Sequence, residues 1–340
     1  MPRKSQCRAA AVALVLSPVL AACGGGDDGS AKRPAVTATA AKTPAPVAET
    51  SIENAGAEKI FIKGDWLAAG EGGIWLSGES DVYRLDPKSG QRKATIHVRQ
   101  GPCEATDVGF GAVWTATCKV RGLAKIDPST NRVVGHVGVP VPVALDGEGS
   151  IGAGEGGVWL VTDGPGCTGC RIARVDPRTM KVTGRVAVQD GAATVRTGEG
   201  AVWVANPEKN LVEQIDPGTN KVVRRVKTGP GPRFFDVGEG AVWTLNQIDG
   251  SVTRIDPATG KATNVDADVP GEGGDLTVGG GSVWARGSNK LLARIDPKRN
   301  RVVARYGPSS GSGAVIVGAG AVWISAHDID TVWRVPLDGT

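Results

Sequence analysis

Six cysteines, three histidines and scattered carboxylates are the residues of this 340-residue chain that could do chemistry. Cys103 and Cys118 flank the turn VGFGAV symmetrically, so a hairpin closed by that turn sets them face to face on neighbouring strands. Cys167 and Cys170 form CTGC inside the longest insertion. A redox-active CxxC opens a helix in a βαβ context, which is missing here. The residue after Cys170 is Arg171, not His, so the motif is not a c-type haem attachment. A zinc site needs further ligands at matching spacing. Both pairs are therefore expected to be disulfides that staple loops. Walker, GxSxG and EF-hand patterns are absent, and the sequence points to no cofactor and no metal.

Whether the remaining polar residues meet depends on the elements that carry them. Seven copies of a small-residue turn followed by Val/Ile-Trp run through the chain, at Trp75, Trp114, Trp159, Trp203, Trp243, Trp284 and Trp323. Six of them continue into an Asp-Pro turn. A period of about forty with four short strand-like runs per unit is the pattern of a β-propeller blade. In residues 233–268 the runs are RFFDV, AVWTL, SVTRID and KATNV, separated by turn residues. The fold expected is all-β, a seven-bladed propeller of four-stranded antiparallel blades over residues 58–340. Blade seven stops short of its fourth strand, and residues 59–63 (KIFIK) are an unassigned strand that can supply it and close the ring. Met180 occupies a turn site that Gly or Asn fills in the other copies, so strain is expected there.

In a ring, first strands line the channel. The position seven before each Trp reads Ala68, Asp107, Gly152, Arg196, Asp236, Thr277 and Ile316. Asp107, Arg196 and Asp236 are thus candidate ligand groups in the channel, or else channel groups linked only to water. Loop candidates at the channel mouth are Glu104, Asn206, Arg233, Asn246, Arg286 and His327. His97 and His136 fall in fourth, outermost strands. The repeated Trp and Asp-Pro residues recur in every blade or nearly so, and are read as packing and turn residues.

The N-terminal stretch reads as targeting. Arg3, Lys4 and Arg8 precede a short apolar run that ends in Leu20-Ala21-Ala22-Cys23, which looks like a bacterial lipobox. Residues 1–22 are then a signal peptide, Cys23 the lipidated residue, and 23–57 a flexible Gly/Ala/Thr/Pro tether. The protein is expected in the cell envelope, held to the extracytoplasmic face of a membrane through Cys23, and monomeric. The formal charge of +4 includes those three cations, and no Lys/Arg block suggests nucleic acid.

The units AVWVANPEKNLVEQIDPGTNKVVRRV and GAVWTLNQIDGSVTRIDPATGKA resemble the YVTN-type repeat of bacterial surface and periplasmic propellers. They are also similar to the blades of streptogramin (virginiamycin B) lyases. The lyase resemblance implies Mg²⁺ held with a His and Glu cluster at the channel mouth. This chain departs from it: only His327 can reach that face, and the Glu-bearing strand after the Trp is missing. Two functions follow. One is an envelope binding or interaction module for a small polar ligand or a protein partner. The other is an envelope enzyme of the lyase type or a metal-dependent hydrolase. A tight cluster of carboxylates or His at one channel end favours the enzyme, and a neutral funnel favours the binder.

Overall fold

The computed structural model describes residues 47–139, 148, 150–162, 168–269, 271, 273–288 and 290–339. Cys23, most of the segment 23–57 and Cys167 lie outside them; Cys170 is disulfide-bonded. Seven antiparallel sheets form from consecutive strands, and each carries one repeat Trp on its second strand. Blade two, for example, runs Pro102–Gly109, Ala112–Thr117, Gly122–Asp127 and Arg132–Gly138. The Cys103–Cys118 disulfide joins its first strand to the residue that follows its second.

Local chemistry explains the hairpins. Glu71 and Gly72 both have positive φ, 47° and 69°, which gives the two-residue turn that matches strand twist. Each Asp-Pro aspartate accepts backbone N–H groups two or three residues on, as Asp86 does from Lys88 and Ser89 at 3.0 and 2.9 Å. These bonds hold the Asp86 carboxyl down at about 2. Met180 has φ 56°, the strained left-handed backbone expected of it.

All seven Trp rings are fully buried. Each indole N–H donates to the carbonyl of the glycine five residues earlier, at 2.9–3.2 Å. Over six of the rings lies a strand-three cation, such as Arg84 on Trp75 at 5.2 Å and Arg174 on Trp159 at 4.9 Å. Several of these side chains then reach the next blade. Arg84 donates to the Pro128 carbonyl, Lys125 to Pro177, Arg174 to Pro217, and Gln214, which replaces the cation in blade four, to Pro257. Arg334 of blade seven donates to Pro87 of blade one across the closure. The glycine ahead of the turn is required by the neighbouring blade. A Cβ on Gly70 would come within 2.7 Å of Val108, and one on Gly279 within 2.8 Å of Val317.

Ring closure occurs as expected. Glu58–Phe61 pairs antiparallel with Thr331–Pro336 and completes blade seven. The folded part begins earlier than residue 58, however. Glu49–Ser51 adds a fifth, parallel strand to blade six against Arg305–Gly307, and a 3₁₀ turn, Ile52–Ala55, buries Ile52 completely. The polar run around it hid the segment, because one Ile gives no periodicity; packed against Leu291, Tyr306 and Trp333, it suffices as an anchor.

Ile52→Ala should lower stability by about 2–4 kcal/mol, the usual cost of truncating a buried aliphatic. A chain starting at residue 58 should melt below one starting at 47. Equal melting curves would show that the segment 49–57 adds nothing to blades six and seven.

Candidate functional site

Two aromatic rings meet near two cavities. Trp66, just before the first strand of blade one, meets Phe234 of blade five across the axis, with centroids 5.8 Å apart. Arg233, which faces Glu148 at 3.8 Å, stacks on Phe234 at 5.3 Å. Arg196 stacks on Trp66 at 5.4 Å from the other side. Asp65 lines one cavity and its neighbour Trp66 the other.

The deep cavity, about 210 Å³, brings together Asp107, Arg196 and Asp236, the three channel residues selected from the sequence, and adds Asp275. Each of them is held by protein atoms. Asp107 accepts from Val108 N and, across the blade boundary, from Ala153 N at 2.7 Å. Asp236 accepts from Val237 N and from Val278 N and Thr277 Oγ1 of the next blade, at 2.8, 2.8 and 3.0 Å. Asp275 does the same to Leu276 N and Val315 N. Arg196 donates to the carbonyls of Val195 and, one blade back, Ile151. Burial raises all three carboxyls, that of Asp275 to about 7, and the Arg196 charge opposes the shift. These groups fasten first strands to one another around one shared cation.

The mouth is different. A cavity of about 560 Å³ is lined by Asp65, Glu104, Glu148 and His327, with Lys63, Glu79 and the Cys103–Cys118 pair. Carboxylate oxygens of Asp65, Glu104 and Glu148 lie within 4.8 Å of one another. Burial and the charges of Asp65 and Glu104 push the Glu148 carboxyl up to about 8, so it holds its proton at neutral pH. His327 sits between two acids, with Nδ1 3.1 Å from Asp65 and Nε2 3.0 Å from Asp328, and these raise it to about 9 against its burial. The funnel is acidic, not neutral.

Of the loop candidates, Glu104 and His327 line this mouth and Arg233 reaches it only through Glu148; Asn206, Asn246 and Arg286 do not line it. Asn206 is buried and donates to the carbonyls of Gln189 and Asp190, which fixes its loop. Asn246 is buried among Thr244, Ser251 and Thr253. Arg286 is buried and donates to the carbonyls of Ser325 and Gly311; burial lowers its basicity to about 10. His97 and His136 stand on outer strands, away from the mouth. Asp65 and Glu148 were missed because both lie outside the strands, where the repeat gives no register.

No family model matches this chain, and no curated protein does. Solved structures do match its fold. A streptogramin B lyase structure superposes with a TM-score of 0.68 at 19% identity, covering 82% of this chain and 96% of that one. The hydrazine synthase of Kuenenia stuttgartiensis gives 0.63 at 14% identity, covering 82% and 97%. BamB from Moraxella catarrhalis gives 0.56 at 14%, covering 79% and 84%. At these identities the shared property is the propeller.

Arg196→Ala should cost about 3–5 kcal/mol at pH 8, because it leaves several acids unneutralised in one cavity. The cost should shrink at pH 5, where raised carboxyls are protonated. Equal denaturation midpoints for variant and wild type at pH 8 would refute the shared-cation arrangement. The wild type should also lose stability as pH rises from 5 to 9. Asp275, Glu148 and His327 all bind protons more tightly folded than unfolded, so each contribution is complete at low pH and fades through about 7, 8 and 9. Thermal melts across this range check the slope, and His327→Asn should flatten its part above pH 6.5.

Proposed function

We propose that the chain is an exported, membrane-tethered binding propeller of the cell envelope that captures a positively charged ligand at its channel mouth. The observation that carries this reading is the convergence of Asp65, Glu104 and Glu148, with oxygens within 4.8 Å, on an open cavity of about 560 Å³. Their mutual repulsion is what keeps a proton on Glu148, and a bound cation that displaces that proton relieves the repulsion instead. The ligand is therefore a small amine or a hard divalent ion. The export part of the reading is supported by the lipobox-like Leu20–Cys23 and by a disulfide, which persists in oxidising compartments.

A second reading, an envelope enzyme, is favoured by the mouth being a tight cluster of carboxylates with a His and not a neutral funnel. Glu148, a protonated acid at neutral pH, and the Asp65–His327 pair face the same cavity, which is the composition of an acid–base site. The oxygen donors fit Mg²⁺ or Ca²⁺. Asp65, Glu104 and Glu148 would hold such an ion, which would supply Lewis-acid polarisation of a bound oxygen. With the ion bound, Glu148 would be deprotonated, and His327, beside Asp65, would place a proton on or near a ligand in the mouth.

Calorimetric titration with Mg²⁺, Ca²⁺ and a panel of small amines tests the first reading. At least one should bind, with affinity rising from pH 6 to 9 as the cation displaces the Glu148 proton. Glu148→Gln should weaken binding tenfold or more at pH 9. No binding by any of them, or binding indifferent to Glu148, sinks it. Incubation with a streptogramin B and Mg²⁺ separates the readings: a chromatographically distinct product would favour the enzyme, and unchanged compound the binder.

A further inference from the structure

We propose that the Cys103–Cys118 disulfide is the positioning element of the mouth site, and that Glu104 reaches the other carboxylates only while that bond is intact. The proposal rests on the mouth being a cation site and names what assembles it.

The geometry lies in the first strand of blade two. Its pairing with the second strand aligns Pro102 with Thr117, then jumps to Thr106 with Thr115. Residues 103–105 thus stand where the partner strand spends only Ala116, so the strand bulges. Glu104 is at the crest, with φ 57°, and among the described strands it is the one non-glycine residue inside a strand with left-handed backbone. Left to itself an L-residue with a long side chain leaves that conformation.

Among the described residues, features on both sides hold it there. On its C-terminal side the regular ladder resumes, with Thr106 Oγ1 bonded to Thr115 and Thr115 Oγ1 to the Ala105 carbonyl. On its N-terminal side the disulfide ties Cys103 to Cys118, while Cys118 N donates to Gly101 O and Val120 N to Gln100 O. The disulfide is the only covalent part of that clamp. Glu104 is the next residue, and both cysteines line the same cavity as its carboxylate. Cys103 is buried and Cys118 half-buried, so a reductant has to approach the bond from the cavity side. A dithiol reductant can open it by thiolate attack on one sulfur. The S–S bond breaks, two electrons and two protons pass to Cys103 and Cys118, and the reductant leaves as its own disulfide. The bulge then relaxes and withdraws one of three carboxylates.

Calcium titration of oxidised protein, of protein reduced in place with a phosphine, and of Cys103→Ala/Cys118→Ala is the test. Reduction and the double variant should each weaken Ca²⁺ binding tenfold or more, and Glu104→Gln should do the same without a further loss on reduction. Glu104→Gly separates positioning from folding: glycine takes this φ freely, so it should keep or raise the melting temperature while losing affinity. Equal Ca²⁺ affinity of oxidised and reduced protein, beside a weakened Glu104→Gln, overturns the proposal. Absence of Ca²⁺ binding by the oxidised wild type counts against the cation reading instead. Hydrogen exchange then decides the positioning: amides 103–106 should exchange faster on reduction while 112–117 stay protected, and unchanged exchange at 103–106 overturns it.

Discussion

The contact on which this molecule depends is the one between blades, where a buried Trp, a cation above it and a carbonyl of the next blade form one chain of interactions. The Trp ring has apolar faces and one polar edge. The edge is satisfied within its own blade by a glycine carbonyl, and the face is covered by Arg or Lys from strand three. That cation is then committed to a carbonyl next door, as in Arg84 to Pro128. The same glycine has no side chain because the neighbouring first strand occupies the space. Twist and spacing of successive sheets are therefore set by side chains that recur once per repeat, and the first strands arrive at the axis with little freedom.

Function in such a ring has to come from what the repeat does not use. Tryptophans, turn aspartates and strand-three cations are consumed by the frame. Even the charged residues of the channel prove to be fasteners: Asp107, Asp236 and Asp275 grip backbone N–H groups of the following blade. What remains is irregular. Asp65 precedes the first blade, Glu148 lies in the insertion between blades two and three, Glu104 rides a bulge, and His327 begins a 3₁₀ turn. Asp65 lines this irregular acidic funnel and its neighbour Trp66 the regular acidic chamber. Two groups of carboxylates thus coexist in one channel with different duties.

The ring was readable from the sequence because its signals repeat: the Trp spacing, the Gly turns and the orphan strand at 59–63 each have a local cause. The strand-three cation was equally visible, two residues before each turn Asp in Arg84, Lys125, Arg174, Arg254 and Arg294, yet periodicity alone does not say that it crosses to the next blade. Counting from Trp picked out Asp107, Arg196 and Asp236, which line one cavity, but most of their hydrogen-bond partners are backbone atoms, which a count of side chains does not reveal. Asn206 and Asn246 looked like mouth residues because loops there are variable; each is spent holding its own loop. The mouth carboxylates were mostly hidden, since Asp65 and Glu148 have no register to count from and converge only after closure.

The N-terminal segment crosses the outside of the ring where the chain's two ends meet. Its first three residues lie on blade six, Ile52 sinks into the junction, and Glu58–Phe61 completes blade seven. Seen as a mechanical part, it is a strain relief. A pull arriving from the N-terminal side loads the short parallel pairing of Glu49–Ser51 and the Ile52 plug before any force reaches the strand that closes the ring. A force applied at residue 49 would meet that outer strap before it met the strand that closes the ring.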